Sequence, residues 1–535
     1  MPKNLNQSKK IPQKEIISDD DDDGLTLPVS DESESDTDQF INEEVMPIPE
    51  EIIYPGLVFK SDYILLKKIG YGNNAGVWMI YQISTKSYSA MKIQDYQCFN
   101  DGCREVAIIK TINNYCKANQ NKNIYCVNML DYFVYEEDEE TKYVCSVYDL
   151  YAGSIHMVIN NGKHKYGLPI SVVKKITKQL LLALVTLHGE LKIIHTDIKP
   201  ENILFKGMPD YQLKIMDMFT KSGFQQKYDD IYARFSKNNT RFSEELEILA
   251  MDSIKDICSI ETNIDTNEEF IPDDEDNDED DLIEGEDDDY SEEEESESES
   301  EDGGNDNGED NTLNVFNERK QSIDDIIENI DYTDIHNLEK EVGYDFTTIL
   351  NNRADTTDKR EMIDDKYVFN CETALTDFGN SYFFDKRTRN EIQDRRYRAP
   401  EVVLDFNYGY ACDIWSLACV VFELLTGFTL FEPEDKPLNK DIHHLFMMEK
   451  SLGSIPLRMK KSSRRNKFLF DKKRNYHVKN IEPFVQTPLK QRLVQQFLFD
   501  EKDASEIYDF IVCGLKYEPA ERSTASEMLN HPWLK

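Results

Sequence analysis

Within the stretch IIHTDIKPENILF, residues 193–205, Asp197, Lys199 and Asn202 set a carboxylate, an ammonium and an amide within six positions. A carboxylate in such a loop can take a proton from a hydroxyl, and an ammonium can neutralise a neighbouring anion. An amide oxygen can join a carboxylate around a hard cation, and Asp377 in TDFG offers that second carboxylate. Upstream, GYGNNAGVW (70–78) carries Gly70 and Gly72, whose backbone N–H groups can approach phosphate with no Cβ in the way. Lys92, in AMK, follows on the next segment, and Glu105 stands 13 positions later. The chemistry these types allow is the handling of phosphate beside a hydroxyl and a divalent cation.

The elements that must position these residues read from the pattern. DYILLKKIG (62–70) alternates as a strand does, and GVWMIYQI and SYSAMKIQ continue with β-branched and aromatic residues. CREVAIIKTINNYC then takes helical spacing, with Val106, Ile109 and Ile112 on one face, and YVCSVYDL (143–150) is a further strand. From SVVKKITKQLLLALVTLHGEL onward the pattern is helical. Between about residue 206 and residue 366 steady periodicity is lost; YVFNCETALTDFG then restores a strand, and helices run to HPWLK. A loop of this length inside a domain counts against an assignment unless it is an inserted spacer, which its acidic composition supports.

These motifs resemble those of protein kinases. The resemblance implies that Gly70 and Gly72, with Ala75 at the third glycine position, cover the phosphates of ATP. Lys92 would bridge the α/β phosphates and pair with Glu105. Asp197 would orient or accept the proton of the substrate hydroxyl, Lys199 would neutralise the transferring phosphoryl group, and Asn202 and Asp377 would hold Mg²⁺. Tyr148 would be the gatekeeper, the backbone of Asp149 and Tyr151 would meet adenine, and Val77, Ala90 and Leu204 would sandwich the ring; plain core packing is the competing reading for those apolar residues. A second candidate for the metal aspartate, Asp217 in IMDMF (215–219), lies 15 positions after Asn202, against 175 for Asp377. Only Asp377 is followed by a glycine two positions on and by an APE segment, Glu401 lying 24 positions later. Asp377 is therefore the expected ligand and Asp217 part of the spacer or a strand.

IIHTDIKPENIL, TDFGNSYFF, EIQDRRYRAPEV, CDIWSLACVVFELLTGFTLFEP and IYDFIVCGLKYEPAERSTASEMLNHPWL extend the likeness, and the chain resembles the SR-protein-kinase family over residues 54–205 and 366–535. That family has a spacer dividing its kinase domain and an acidic N-terminal extension. The implied fold is α+β and bilobal, with a β-rich N-lobe, a helical C-lobe and a long, disordered acidic insertion. The expected boundaries are 1–53 for an acidic tail, 54–150 for the N-lobe, 151–205 and 366–535 for the C-lobe, and 206–365 for the spacer. Removing 207–364 should then leave a folded domain, since loop closure costs change slowly with length. Glu401 would pair with Arg522 as an internal brace. The resemblance departs at YRAPE, where the family carries Ser-Leu-Glu.

Charge divides unevenly. Residues 15–50 hold 14 Asp/Glu and residues 268–310 hold 26, neither with any Lys or Arg, so 40 of the 43 excess negative charges sit in two tracts. Too few apolar residues remain there to offset chain entropy. The tracts are solvated spacers or docking elements for basic partners. Ten cysteines occur with no CxxC pair, no apolar run is long enough to span a bilayer, and a reduced intracellular setting, cytoplasmic or nuclear, is expected. The implied enzyme is a serine/threonine kinase acting with ATP and Mg²⁺ on Arg/Ser-rich or other basic proteins, as a monomer without nucleic-acid or membrane binding. The alternatives are a pseudokinase scaffold and an acidic, chaperone-like binder of basic proteins; the full set Lys92, Glu105, Asp197, Lys199, Asn202 and Asp377 stands against the first. For docking Arg-rich peptide, Glu432, Glu434, Asp435, Asp500, Glu501, Asp503 and Glu506 are the candidate acids, and RMKKSSRRNK (458–467) would repel such a peptide if close. Thr196 stands where many kinases have an Arg that binds an activation-loop phosphate, at Thr388 here. With no cation at Thr196, segment 377–401 should be held by its own hydrogen bonds.

Overall fold

The computed structural model describes residues 53–535 apart from 73–74, 121, 139–140, 161–163, 236–239, 261–364, 387–390, 434–438 and 477–486. Strands β1 (Val58–Phe59), β2 (Tyr63–Gly72), β3 (Ala75–Gln82), β4 (Ser87–Gln94), β5 (Met129–Glu136) and β6 (Lys142–Tyr148) form one antiparallel sheet in the order β1-β2-β3-β4-β6-β5. Helix α1 (Phe99–Ala118) packs on β5 and β6, with Val106, Ile108, Ile109 and Ile112 buried, the stripe its helical spacing dictates.

The chain then enters a second lobe through β7 (Tyr151–Ser154), α2 (Ile155–Ile159) and α3 (Ile170–Leu184). Its centre is the helix Ala411–Thr426, buried at every position from Cys412 to Thr426. The long apolar run in the sequence is thus a core helix, apolar all round because protein surrounds it. Among the described residues no helix is long and apolar enough to cross a membrane. The helix Glu501–Gly514 packs on this central helix. Beside it, the Arg522 guanidinium meets Glu401 with two hydrogen bonds of 2.8 and 2.9 Å and lies over the Trp415 ring. The expected brace is present.

The strand unit divided by the insertion closes across it. In β9 (Ile203–Lys206) and β10 (Thr373–Leu375), Ile203 pairs Leu375, Leu204 pairs Ala374 and Phe205 pairs Thr373. Strand β7 lies on the other side of β9. The Thr376 N–H donates to the Asn202 carbonyl at 3.0 Å, so the two halves of the site rejoin one residue before Asp377.

Over 210–254 the chain departs from the disorder expected of the spacer 206–365. The first part of this insertion folds as α4 (Asp210–Lys221), α5 (Phe224–Arg234) and α6 (Thr240–Ile254) and covers one face of the sheet. The reason lies in β2 and β3. Tyr63, Leu65, Trp78 and Ile80 face one core while Ile64, Leu66, Met79 and Tyr81 face another, so these strands are apolar on both faces and both must be covered. The helices supply Ile215, Phe219, Phe224, Tyr228, Phe242 and Leu246 to the second core. The Phe219 ring lies 4.9 Å from Tyr81 and 5.1 Å from Phe224. IMDMF is therefore helix, neither strand nor loose spacer: Ile215 and Phe219, four apart, point inward, and Asp217 points out to pair with Lys221. The acidic tracts at 15–50 and 268–310, and Thr388, Glu434 and Asp435, lie outside the described residues.

It follows that removing 207–364 strips the cover from an apolar sheet face, and the expectation of a freely removable insertion is withdrawn for 210–254. Phe219→Ala should cost about 3–5 kcal/mol, the usual range for a buried phenylalanine. Thermal unfolding would show it as a lowered Tm. An unchanged Tm for this variant, or for a deletion of 210–254, would mean the helices do not share the core.

Candidate active site

Lys92 enters the site from β4, where it pairs across the sheet with Val77 and with Ser146. Its Nζ donates to Glu105 Oε1 and Oε2 at 3.0 and 2.8 Å and to Asp377 Oδ1 at 2.9 Å. Glu105 comes from α1, and Asp377 from the far side of the insertion. Burial alone would lower the Lys92 pKa; Asp377 and Glu105 reverse this and hold it above its ordinary value. The Asp377 carboxyl is correspondingly lowered by Lys92, whereas burial raises that of Glu105. Asp377 has φ of +60°, an uncommon backbone region for a residue with a side chain, and the surrounding bonds hold it there.

The loop 195–202 is organised by one buried carboxylate. Asp413, at the start of the central helix, accepts the N–H of His195 and of Thr196, each at 2.8 Å, and also meets His188 Nε2 at 2.8 Å. Thr196 itself has φ of +68°, and its hydroxyl donates to the Asn380 carbonyl at 2.6 Å. Asn202 Nδ2 donates to the backbone oxygen and to Oδ2 of Asp197, both at 2.9 Å. Lys199 Nζ lies 3.4 Å from Asp197 Oδ2. Burial raises the Asp197 carboxyl above the usual range, opposed by Lys199, which leaves a more basic carboxylate in the loop.

The segment that follows Asp377 is held by strand pairing, by hydrogen bonds and by ion pairs, among them Arg396 with Asp394, Arg398 with Glu391 and Arg395 with Asp441. Strand β8 (Ile193–Ile194) pairs antiparallel with β11 (Tyr382–Phe383). Arg104, on α1, donates to the Gly379 carbonyl at 2.7 and 3.1 Å. Further on, Gln393 donates to Ser416 Oγ at 2.7 Å and to the Cys412 carbonyl at 3.0 Å, while its own oxygen accepts the Ala399 N–H at 3.0 Å. The Tyr397 hydroxyl donates to Glu423 Oε2 at 2.7 Å.

The other expected residues fall on the surrounding strands. Gly70 pairs Val77 and Gly72 pairs Ala75 in the β2–β3 hairpin. Among the described residues no atom lies within 4 Å of where a Cβ at Gly72 would stand. Ala90 pairs with Tyr148 across β4 and β6, and Leu204 sits in β9 one position from Ile203. The hinge stretch from Asp149 to Tyr151 is braced from the insertion. Buried Gln212 of α4 donates to the Tyr151 carbonyl at 3.0 Å, and Leu150 packs against the helix core. Gln212, Arg104 and Gln393 were not among the expected site residues: Gln212 and Arg104 lie outside the motifs, and Gln393 lies in EIQDRRYRAPEV with no role assigned to it.

Asp377 and Asn202 fit a small hard cation. The two hydrogen bonds of the Asn202 amide use its nitrogen, and neither engages its oxygen. Among the described residues no group of three or more His, Cys, Asp or Glu is arranged to hold a metal. Mg²⁺ does not require one, since it commonly takes one or two protein oxygens and completes its shell with water and substrate phosphate.

A protein kinase domain model matches residues 63–250 and 362–534. The chain is 53% identical to a putative serine/threonine-protein kinase of Acanthamoeba polyphaga mimivirus, covering 99% of this chain and 97% of the relative. It is 27% identical to the protein kinase dsk1 of Schizosaccharomyces pombe, over 88% and 80% of the two chains, and 24% identical to SRSF protein kinase 3 of Mus musculus, over 90% and 87%. The chain belongs to the protein kinase family, and within it to the serine/threonine kinases of the SR-protein-kinase group. It is a protein serine/threonine kinase.

Beneath the site, Glu423 is 3% exposed, and burial pushes its carboxyl up to about 7 from 4.5. A folded chain that holds this proton more tightly than the unfolded chain is most favoured below pH 4.5 and loses that advantage as pH rises through about 7. Glu423→Gln keeps an acceptor for Tyr397 and removes the charge. Its Tm should match the native protein near pH 5 and exceed it by a few degrees at pH 8, in line with a shift worth about 3 kcal/mol. Equal Tm values at both pH values would show that Glu423 is not a strained buried acid.

Proposed function

We propose that this kinase transfers the γ-phosphoryl group of ATP to serine or threonine hydroxyls in Arg/Ser-rich or otherwise basic proteins. The observation that carries the reading is the joining of Lys92, Glu105 and Asp377 by bonds of 2.8–3.0 Å. A pseudokinase has no need of this arrangement. In the proposed cycle Lys92, fixed by Glu105, binds the α/β phosphates beneath the Gly70–Gly72 hairpin. Val77, Ala90 and Leu204 flank the adenine, and the backbone at Asp149 and Tyr151 meets its edge beside Tyr148. Asp197 accepts the proton of the attacking hydroxyl as the O–P bond forms. Lys199 neutralises the phosphoryl oxygens while the bond to the ADP oxygen breaks. Asn202 and Asp377 would hold Mg²⁺, which supplies neutralisation of charge along the β and γ phosphates.

A basic substrate requires exposed acids on the C-lobe that are not already engaged. The cations of the stretch 458–467 that would repel them are largely engaged: Arg458 with Glu518, Lys460 with Glu449, Arg464 with Asp405 and Arg465 with Asp441. Among the candidate docking acids, Asp500 caps its helix by accepting the Asp503 N–H at 2.8 Å, and Glu432 accepts from Thr429 at 2.6 Å. Glu501, Asp503 and Glu506, on the same helix start, are the better docking acids.

A radiometric peptide array at two salt concentrations tests this. Arg-Ser repeats should be preferred, and more strongly at low salt, because exposed carboxylate–guanidinium attraction is screened. Asp197→Asn and Asp377→Ala should abolish the signal, whereas Asp217→Ala should leave it intact. Preference for acidic or proline-directed peptides would remove the substrate class, and an active Asp377→Ala variant would remove the site assignment.

A further inference from the structure

A third carboxylate reaches into the site and has no place in the cycle above. Asp394, on the segment that precedes Tyr397, lies with Oδ2 at 3.8 Å from Lys199 Nζ, on which Asp197 Oδ2 also bears, at 3.4 Å. Neither distance is that of a closed hydrogen bond, which runs at about 2.7–3.2 Å. The ammonium is suspended between two carboxylates.

Asp394 cannot close on it. Its Oδ1 accepts the backbone N–H of Arg396 at 3.0 Å and Arg396 Nε at 3.1 Å, and its Oδ2 accepts Arg396 Nη2 at 3.1 Å. This two-pronged guanidinium contact is directional and fixes the carboxylate plane. Asp394 is largely buried, at 13% side-chain exposure, so its field on Lys199 is weakly screened. Arg396 in turn lies 3.8 Å from Glu201, which receives His156 at 3.0 Å. Charges of alternating sign thus run from Asp197 through Lys199, Asp394 and Arg396 to Glu201.

We propose that Asp394 is a positioning residue that draws the Lys199 ammonium away from Asp197, so that Lys199 stays free to meet the phosphoryl group and Asp197 stays free to take the hydroxyl proton. Without this pull Lys199 moves the remaining distance to Asp197 Oδ2 and closes a hydrogen-bonded pair with it. One contact then occupies both groups. The arrangement also makes the catalytic loop sensitive to the activation segment, because Arg396 and Asp394 move with that segment. The proposal rests on the roles given above to Asp197 and Lys199.

Its test is a double-mutant cycle on the full chain with a Ser-containing basic peptide, measuring kcat, KM for ATP and Tm. Asp394→Asn keeps an acceptor for the Arg396 N–H and removes the charge. Assayed well below its Tm, it should lower kcat by about tenfold or more, as small displacements of reacting groups do, with KM for ATP changed less than twofold; Tm falls because Arg396 loses its main counter-charge. Added to Lys199→Gln, it should cost nothing further. Equal losses in the two backgrounds, or no loss at all, would each overturn the proposal. If Asp394→Asn fails to fold, Asp394→Ser, which still caps the Arg396 N–H, carries the same cycle. Full activity of Lys199→Gln alone would instead refute the role of Lys199 on which the proposal stands.

Discussion

A single ammonium with two carboxylates decides whether this protein has an active site. Lys92 and Asp377 are 285 positions apart, and Glu105 lies on a helix between them in sequence. Glu105 is the buried member of this set, and removing it leaves the Lys92 ammonium under-compensated at a cost of about 3–5 kcal/mol. The sheet, α1 and the strand pair β9–β10 must therefore all be in register before the site exists. This explains why the insertion can divide the domain where it does. It enters after β9 and leaves before β10, and the ladder between those strands restores the spacing from Asn202 to Asp377 whatever length of chain lies outside it.

The insertion is part of that requirement as well as a guest. Helices α4 to α6 seal the sheet face that carries Ile64, Leu66, Met79 and Tyr81, and Gln212 ties them to the hinge carbonyl of Tyr151. Lys92 lies on β4, next to the strand that bears Met79 and Tyr81. Packing on one face of the sheet thus supports the charge arrangement at its edge.

Much of this was legible in the sequence because motifs carry their geometry with them. The spacing Asp197–Lys199–Asn202, the pair Lys92 and Glu105, and TDFG each fix a local shape, and the structure brings them together. The brace between Glu401 and Arg522 is likewise formed. What could not be read was tertiary. DYILLKKIG alternates as a strand does, with Leu65 and Leu66 facing opposite cores, and its apolar residues on both faces signal a second layer. IMDMF carries the i, i+4 pair Ile215 and Phe219, but the acidic tract beyond it drew the whole stretch into a spacer. Gln393, Arg104 and Asp394 act through partners distant in the chain or in the catalytic loop, which their local sequence does not name.

The active arrangement is assembled by the chain's own bonds, with the Thr196 hydroxyl on the Asn380 carbonyl where a phosphate tether would need a cation. The direct measurement is the phosphorylation rate of a basic peptide by protein treated with phosphatase and shown by intact mass to carry no phosphate. The same kcat is expected before and after treatment. Activity that vanishes with the phosphate and returns when segment 377–401 is phosphorylated would contradict it.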